Sequence, residues 1–355
     1  MNKVAIIGAG LSGLTLAYEL EKKGISSIIL EASDRIGGRI HTDKGINGTP
    51  LELGATWFAD KHTTLTKLIE ELSLQKFLQF SSGMSIFQTR SFEPPQHFYT
   101  PESEAASYRI AGGTQMIIDT LVSKLKNSAI IKDCKVVKIE EVADGLAIHA
   151  ANGAIYEAER VCICIPPALT GATINLPSNI SAYVRGALPT VHTWMAGSIK
   201  FVLEYEAPFW RNNGFSGMVY SHAGIVVEMY DHTNFEEDRF GFTGFLNPGA
   251  AAYNVHKRRQ LVLDQLAGLL GTNAGAPILY RDKIWDNEFI TAGKQVIESP
   301  HQNNGHPVFK IGYLHDKLFF CGTETVNHFG GYMEGAVYAA LATAGKINTI
   351  LAVQA

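Results

Sequence analysis

An α/β fold is predicted for this 355-residue chain: a Rossmann-like dinucleotide-binding domain joined to an α+β domain built on a mixed β-sheet. Three stretches predict it. At the N-terminus the apolar run KVAII (3–7) leads into Gly8, Gly10 and Gly13 in G-x-G-x-x-G spacing, and a helical pattern starts at Leu11. A second apolar run, SIIL, ends at Glu31. Near the C-terminus an apolar run (318–321) leads into Gly322-Thr323-Glu324 and then a last helix opening at GGYMEGAVYAALATAG. Between them, from about 170 to 286, the chain is rich in β-branched and aromatic residues.

The N-terminal stretch has the strand–turn–helix–strand pattern of a dinucleotide site. Gly8 permits the tight turn, Gly10 lets the backbone approach a pyrophosphate, and Gly13 lets the helix pack on the strand. The free N–H groups at the helix start suit phosphates. Glu31, eighteen residues past Gly13, is placed to accept hydrogen bonds from a ribose. Residues 31–40 read EASDRIGGRI, in which Arg39 after Gly37-Gly38 offers a fixed charge for a second phosphate contact.

This run resembles the extended FAD signature of two-dinucleotide-binding flavoproteins (GR2 type). Together with FFCGTET and GGYMEGAV at the other end, the chain resembles the flavin-containing amine oxidases, the monoamine and polyamine oxidases. The resemblance implies that both ends meet around one FAD. It implies cofactor contacts from Gly8, Gly10, Leu11, Ser12, Gly13, Glu31, Ala32, Gly38, Arg39, Val136, Gly322, Thr323, Glu324, Met333 and Ala336. The segment Glu52-Leu-Gly54-Ala55-Thr56-Trp57 is similar to one that passes beside the flavin in that family; Trp57 read on its own is equally a core aromatic.

In chain order, 11–23 has helical apolar spacing with Gly24 at C′, and 63–73 forms an amphipathic helix with Leu65, Leu68, Ile69 and Leu72. Residues 81–107, with Pro94-Pro95 and Pro101, read as hairpin or loop. The family carries a long insertion there, so this chain's insertion is shortened. Thr114 is the expected N-cap of a helix carrying Ile117 and Leu121. Strands are expected at 136–139, 146–149 and 155–156, with Asn152-Gly153 as a type I′ hairpin turn. A further strand covers 161–165, and Pro166-Pro167 marks the first domain crossing. A helix covers about 250–270, and 287–312 is irregular. The expected FAD-binding domain is 1–60, 108–168 and 307–355; the expected substrate domain is 61–107 and 169–306.

The chemistry is implied by the resemblance. Lys200, in Gly197-Ser198-Ile199-Lys200, matches a lysine that holds a water at the flavin N5 and aids reoxidation by oxygen; strand alternation alone would equally let it face solvent. Burial there would lower its pKa. Tyr332 matches one wall of an aromatic cage. Trp285 matches a tryptophan at the benzenoid end of the flavin. The family's flavin-linking cysteine falls at Lys294 and its second cage tyrosine at Gln295. No cysteine lies between Cys164 and Cys321, so the FAD is expected to be non-covalent.

Composition narrows the remainder. Hydrophobic content of 46%, 18% charge and a net charge of −4 describe an ordinary globular chain without a nucleic-acid partner. Four cysteines suit free thiols better than a metal site. No apolar stretch is expected to reach membrane-spanning length, no signal peptide is expected before the first strand, and a cytoplasmic location follows. The reading is an FAD-dependent oxidase of an amine C–N bond, giving imine and aldehyde and reducing O2 to H2O2. A desaturase or protoporphyrinogen-oxidase-like enzyme, a flavin-dependent isomerase and a non-catalytic flavoprotein remain open.

Overall fold

The computed structural model describes residues 2–101, 106–286 and 297–354. Its helices are α1 (Leu11–Glu21), α2 (Thr63–Glu71), α3 (Gln115–Lys124), α4 (Pro167–Thr173), α5 (Ala182–Ala187), α6 (Phe209–Asn212), α7 (Val255–Leu270) and α8 (Met333–Gln354). Its strands in the N-terminal half are β1 (Asn2–Ile7), β2 (Ser27–Leu30), β3 (Thr42–Lys44), β4 (Pro50–Glu52), β5 (Phe58–Ala59), β6 (Lys76–Leu78), β7 (Gly83–Gln88), β8 (Gln96–Thr100), β9 (Ser107–Ile110), β10 (Ala129–Ile131), β11 (Val136–Val142), β12 (Gly145–Ala150) and β13 (Ile155–Ile163). Then follow β14 (Ile199–Tyr205), β15 (Phe215–Ser221), β16 (Val226–Asp231), β17 (Phe240–Leu246), β18 (Leu279–Ile284) and β19 (Leu318–Phe320).

Two large sheets organise the molecule. The first runs β10-β2-β1-β13-β12-β11, with β19 also on β13. β1 is parallel to both β2 and β13, so it is buried on both faces: Val4 and Ile6 enter one core with α1, α2, α3 and α8, and Ala5 and Ile7 enter the opposite core. β19 brings the C-terminal segment beside β13, in the register Cys162↔Phe319. The second sheet, β18-β14-β17-β16-β15-β7-β8, is mixed, because β7 and β15 are parallel and its other pairs antiparallel. One face of it packs Phe201, Leu203 and Phe242, with Trp210 of α6, against Val262 and Leu266 of α7. The α/β class with a mixed second sheet is as expected from sequence.

Local expectations hold where the backbone had one solution. Gly24, at φ +75°, closes α1: its N–H donates to Glu21 O and that of Ile25 donates to Leu20 O. Residues 83–100 form the β7–β8 hairpin. Other expectations are corrected. The pieces expected at 155–156 and 161–165 are one strand, β13, which pairs β12 with its first half and β19 with its second. Its hairpin with β12 is not type I′: Gly153 takes φ +88° but Asn152 is not left-handed, and Gly153 N donates to Ala150 O, a type I turn closed by a left-handed glycine. Thr114 does not cap α3 with its side chain; the Thr114 and Gln115 amides donate to the Glu52 carboxylate and to Thr42 Oγ1. The expected 250–270 helix starts at Val255, with Asn254 Oδ1 accepting from Lys257 N at 2.9 Å.

The segment after Pro166-Pro167 stays with the first sheet. It forms α4 and α5 rather than strands, and Ile174, Leu176, Val184 and Leu188 pack in the same core as Ile7 and Ile163. The chain reaches the second sheet only at β14. The expectation on membrane-spanning length is also corrected. Residues Met333–Val353 of α8 are long and apolar enough by length and composition, at a mean hydropathy of 1.4. Val337, Ala340 and Ile347 of that helix are nonetheless buried against α1 and α2, so it is a core helix here.

Gly13 carries the closest approach of helix to strand: a Cβ there would lie 2.0 Å from Gly8 O. The contact is to backbone, so α1 itself must move. Gly13→Ala is expected to destabilise by about 2–3 kcal/mol, read by chemical denaturation. Gly186→Ala in α5, where an added methyl meets nothing within 4 Å, is expected to be neutral or slightly stabilising.

Candidate active site

A long cavity opens at the C-terminal ends of β1 and β2, where the strand order reverses around α1. Its first lobe is lined by Gly8, Gly10, Leu11, Ser12, Glu31, Ala32, Gly38, Arg39, Val136, Thr323, Met333 and Ala336, among others. Gly8 (φ +102°) makes the turn, and Gly10 sits against Gly37 and Gly38 at the start of α1, leaving that helix's first amides facing the lobe. Glu31 is buried: Oε2 accepts from Ala9 N at 2.7 Å, and Oε1 accepts from Ser33 N and Oγ at 3.0 and 2.9 Å. Its carboxylate is thus fixed at the rim, with acceptor capacity remaining.

The second lobe shares Arg39, Ala55, Gly331, Tyr332 and Met333 with the first. Gly54, Thr56, Trp57, Lys200, Trp285 and Phe245 complete its walls, with Trp194, Met195 and Ser198. Lys200 is the chemical centre of this lobe. Only 2% of it is exposed, and its Nζ donates to Gly54 O at 2.7 Å and to Thr56 Oγ1. The alternation of β14 points it inward, away from the α7 core. Burial pulls its pKa down to about 7, with Arg109 adding and Glu52 and Glu228 opposing. The Trp57 ring lies 5.0 Å from Nζ, and Trp57 Nε1 donates to Gln79 Oε1, so this tryptophan walls the cavity and is not sealed in a core. Trp285 Nε1 donates to Leu53 O at 2.7 Å.

Three expected contacts stand behind the wall. Gly13 packs α1 on β1. Gly322 lies two residues past β19, its O accepting from Thr325 N and Oγ1. Glu324, fully buried, pairs with Arg39 at 2.6 Å and so orients a cation that does line the cavity. Tyr332 is 40% exposed and stacks at 5.4 Å on His301, which stacks at 4.1 Å on Trp194. The aromatic surface is therefore broader than the single wall expected from sequence. Lys294 and Gln295 lie outside the described residues.

Sequence reasoning missed Arg35 and Lys283, two further cations at the first lobe, and Phe245, Trp194 and Met195 at the second. It also missed a buried charged group behind Lys200. The Glu52 carboxylate accepts from Thr42 Oγ1 at 3.0 Å, and its own amide donates to His232 Nε2 at 3.2 Å. Arg109 Nη1 lies 2.6 Å from His232 Nδ1. Burial lowers Arg109 to about 10, raises Glu52, and drives His232 well below its usual range, keeping it neutral. Register brings these residues together, and no spacing along the chain announces it.

A family profile described as flavin containing amine oxidoreductase matches residues 11–91 and 89–348. The two matches meet at 89–91, between β7 and β8, where the shortened insertion was expected. The chain is similar to a probable flavin-containing monoamine oxidase A of Dictyostelium discoideum, 24% identical over 450 aligned positions that span 97% of each chain. It is similar to the putrescine oxidase of Kocuria rosea, 22% identical over 96% of this chain and 95% of that one. Both alignments exceed the 355 residues here, so they cross gaps in this chain. Among solved structures, a putrescine oxidase bound to putrescine superposes with a TM-score of 0.83 at 21% identity, covering 98% and 99% of the two chains. The cyclohexylamine oxidase of Brevibacterium oxydans gives 0.84 at 18% identity, over 99% of each.

Glu31→Ala is expected to weaken FAD binding at least tenfold. It removes a buried acceptor whose loss costs roughly 1–3 kcal/mol, and it frees the Ala9 amide. Flavin titration of apoprotein measures this; an unchanged Kd would show that the ribose hydroxyls have another partner.

Proposed function

The chain belongs to the flavin containing amine oxidoreductases, and from that premise we propose that it is an FAD-dependent amine oxidase that passes its electrons to dioxygen, giving imine, then aldehyde, and hydrogen peroxide. FAD suits the cavity: left-handed glycines cradle one end, the start of α1 and three cations (Arg35, Arg39, Lys283) serve its phosphates, and Glu31 serves a ribose. Bound there, FAD supplies a two-electron acceptor for hydride from the carbon beside the amine nitrogen.

The chain's own residues have three tasks. Trp57, Phe245 and Tyr332 provide aromatic walls that hold a neutral amine and limit its orientations. The start of α8 at Met333 turns a helix N-terminus toward both lobes, which favours negative charge there. Lys200 is the observation that carries the oxidase reading. Two of its three ammonium donors are spent on Gly54 O and Thr56 Oγ1, and the third is available to the cavity. A cation so placed stabilises the negative charge that develops on oxygen as it is reduced.

Two tests follow. Acid precipitation is expected to release intact FAD into the supernatant, since residues 165–320 contain no cysteine; flavin retained in the pellet would show a covalent link. Lys200→Met is expected to leave anaerobic reduction by amine within a few fold. Reoxidation by oxygen should slow by roughly 30- to 1000-fold, the loss of about 2–4 kcal/mol of charge stabilisation. Because Lys200 is lowered to about 7, its charge is present below that pH and lost above it. The oxygen reaction of the wild type should therefore slow as pH rises through about 7, and that of the variant should be flat in this range. Stopped-flow flavin absorbance reads both half-reactions; equal oxygen rates in the two proteins would favour a desaturase or isomerase instead.

A further inference from the structure

Three of the four cysteines gather beneath the first lobe. β13 and β19 run parallel in the register Cys162↔Phe319 and Ile163↔Phe320. The next step sets Cys164 beside Cys321, whose amide donates to Ile163 O at 2.8 Å. Cys162, Cys164 and Cys321 all pack in the core shared with α1 and α8. Neighbouring strands lie about 4.8 Å apart, inside the span of roughly 4.4–6.8 Å that a disulfide bridges between Cα atoms. Cys162 and Cys164, two residues apart on one strand, are about 6.6 Å apart, at the far end of that span. Cys134 packs in the opposite core.

The two members of the Cys164–Cys321 pair differ in access. Cys164 is half-buried and lines the first lobe together with Ser12, whereas Cys321 is fully buried. Ser12 links lobe and pair: its hydroxyl donates to Cys321 O and lies 3.7 Å from Cys321 Sγ. A hydrogen bond from Cys164, helped by Thr343 and Ser12, lowers the Cys321 thiol pKa against the effect of burial. Burial raises that of Cys164. The proton thus sits on Cys164 and the thiolate character on Cys321. A thiol pair with one open side on a ligand cavity is not an inert core contact.

We infer that Cys164 and Cys321 are a peroxide-sensitive thiol pair: they close to a disulfide in flavin-free protein, bound FAD shields them, and the disulfide weakens FAD binding. The oxidant is hydrogen peroxide, the product that the oxidase reading assigns to the adjoining second lobe. Added peroxide serves equally, so the pair stands or falls apart from the amine chemistry. The Cys164 sulfur takes one peroxide oxygen as a sulfenic acid; the O–O bond breaks, and the other oxygen leaves as water with the thiol proton. The Cys321 sulfur then attacks the Cys164 sulfur, the S–O bond breaks, and that oxygen leaves as a second water. Two electrons pass from the two sulfurs to one peroxide. The new bond draws Cys164 out of the lobe wall and shifts the Cys321 contact of Ser12, in the first turn of α1. Protein that has lost its flavin is then kept from reloading until the disulfide is reduced.

Flavin-loaded and flavin-stripped wild type, Cys164→Ser and Cys321→Ser are treated with hydrogen peroxide, alkylated, and analysed by intact mass and peptide mapping. Stripped wild type is expected to lose two of its four free thiols, with the Cys164 and Cys321 peptides linked, and dithiothreitol should return both. Bound FAD should slow the loss by about tenfold or more, since oxidation follows exposure. Cys321→Ser should hold a Cys164 sulfenic acid that dimedone traps, and Cys164→Ser should form no bridge. Titration with FAD should give a Kd about tenfold weaker for oxidised than for reduced wild type, the worth of one hydrogen bond, and a Kd unmoved by peroxide in Cys164→Ser. Four free thiols in stripped wild type after peroxide, or a bridge to Cys162 or Cys134, overturns the inference. So does a loss that FAD does not slow, or an FAD Kd that oxidation leaves unchanged. A flavin that no amine bleaches would refute the amine oxidase reading and leave each of these outcomes decisive.

Discussion

Three consecutive backbone carbonyls hold the two halves of this molecule together. Glu52 O accepts from Thr243 Oγ1 at 3.0 Å, Leu53 O from Trp285 Nε1 at 2.7 Å, and Gly54 O from Lys200 Nζ at 2.7 Å. All three donors come from the second sheet or the residue just beyond it. The other edge of the same segment belongs to the first half: the Leu53 and Gly54 amides donate to His41 O and the Ala55 amide to Arg39 O. The close fit explains Gly54, where a Cβ would lie 2.4 Å from Arg39 O. In a buried segment each carbonyl left without a donor costs roughly 1–3 kcal/mol, so the side chains that build the second lobe also fix it to the first. Glu204, four residues along β14 from Lys200, extends the clamp by accepting from the Ile46 and Asn47 amides and from Thr49 Oγ1.

The clamp explains why a lysine can be buried here. Taking an ammonium out of water is costly, and for Lys200 burial outweighs the attraction of Glu52 and Glu228, since the net shift is downward to about 7. One ion pair lies close behind it. Arg211 forks onto Asp231 with contacts of 2.7 and 2.9 Å, and Asp231 also accepts from Trp210 Nε1. His232 lies between the Arg109 guanidinium and the backbone amide of Glu52. Surface pairs such as Lys3–Glu159 are of a different kind and add little. The interior set positions one titrating group, and the position matters to the chemistry more than the stability of any single pair.

What could be read from the residues was what local geometry dictates. Gly8, Gly13 and Gly24 mark backbone conformations or approaches open only to glycine, and the apolar periodicity of α1, α2 and α3 marks which face is buried. The residues at Lys200 and Tyr332 were legible through their flanking segments, and both line the second lobe. Register was not legible. Glu228 and Phe245 lie 28 and 45 residues from Lys200 in the chain, yet they stand in one row because of how β14, β17 and β16 pair. α4 and α5 were missed for a related reason: the stretch from about 170 to 286 reads as β-rich as a whole, but at its start packing against the first sheet selected helices. Pro166-Pro167 reads as a boundary, and here its second proline is the first residue of α4, a position that needs no amide donor.

The placement of Tyr332 shows how much of the site depends on the groups that fix the start of α8. Glu334, fully buried in the first turn of α8, accepts from the Thr64 and Leu65 amides at 3.0 and 2.7 Å, so one carboxylate serves the N-termini of both α8 and α2. Thr323 Oγ1 donates to Tyr332 O at 2.7 Å and accepts from Gly331 N at 2.9 Å. Gly331, at φ +89°, leaves room for Trp194, whose Cβ would lie 2.6 Å from an added methyl. Gly335 does the same for Phe329 O, 2.4 Å from its would-be Cβ. Each contact removes one way for the start of α8 to slide or rotate. The Tyr332 ring, 40% exposed and stacked on His301, is then held by the backbone geometry at the start of α8. An aromatic wall fixed in this way presents one unchanging face to whatever enters the second lobe.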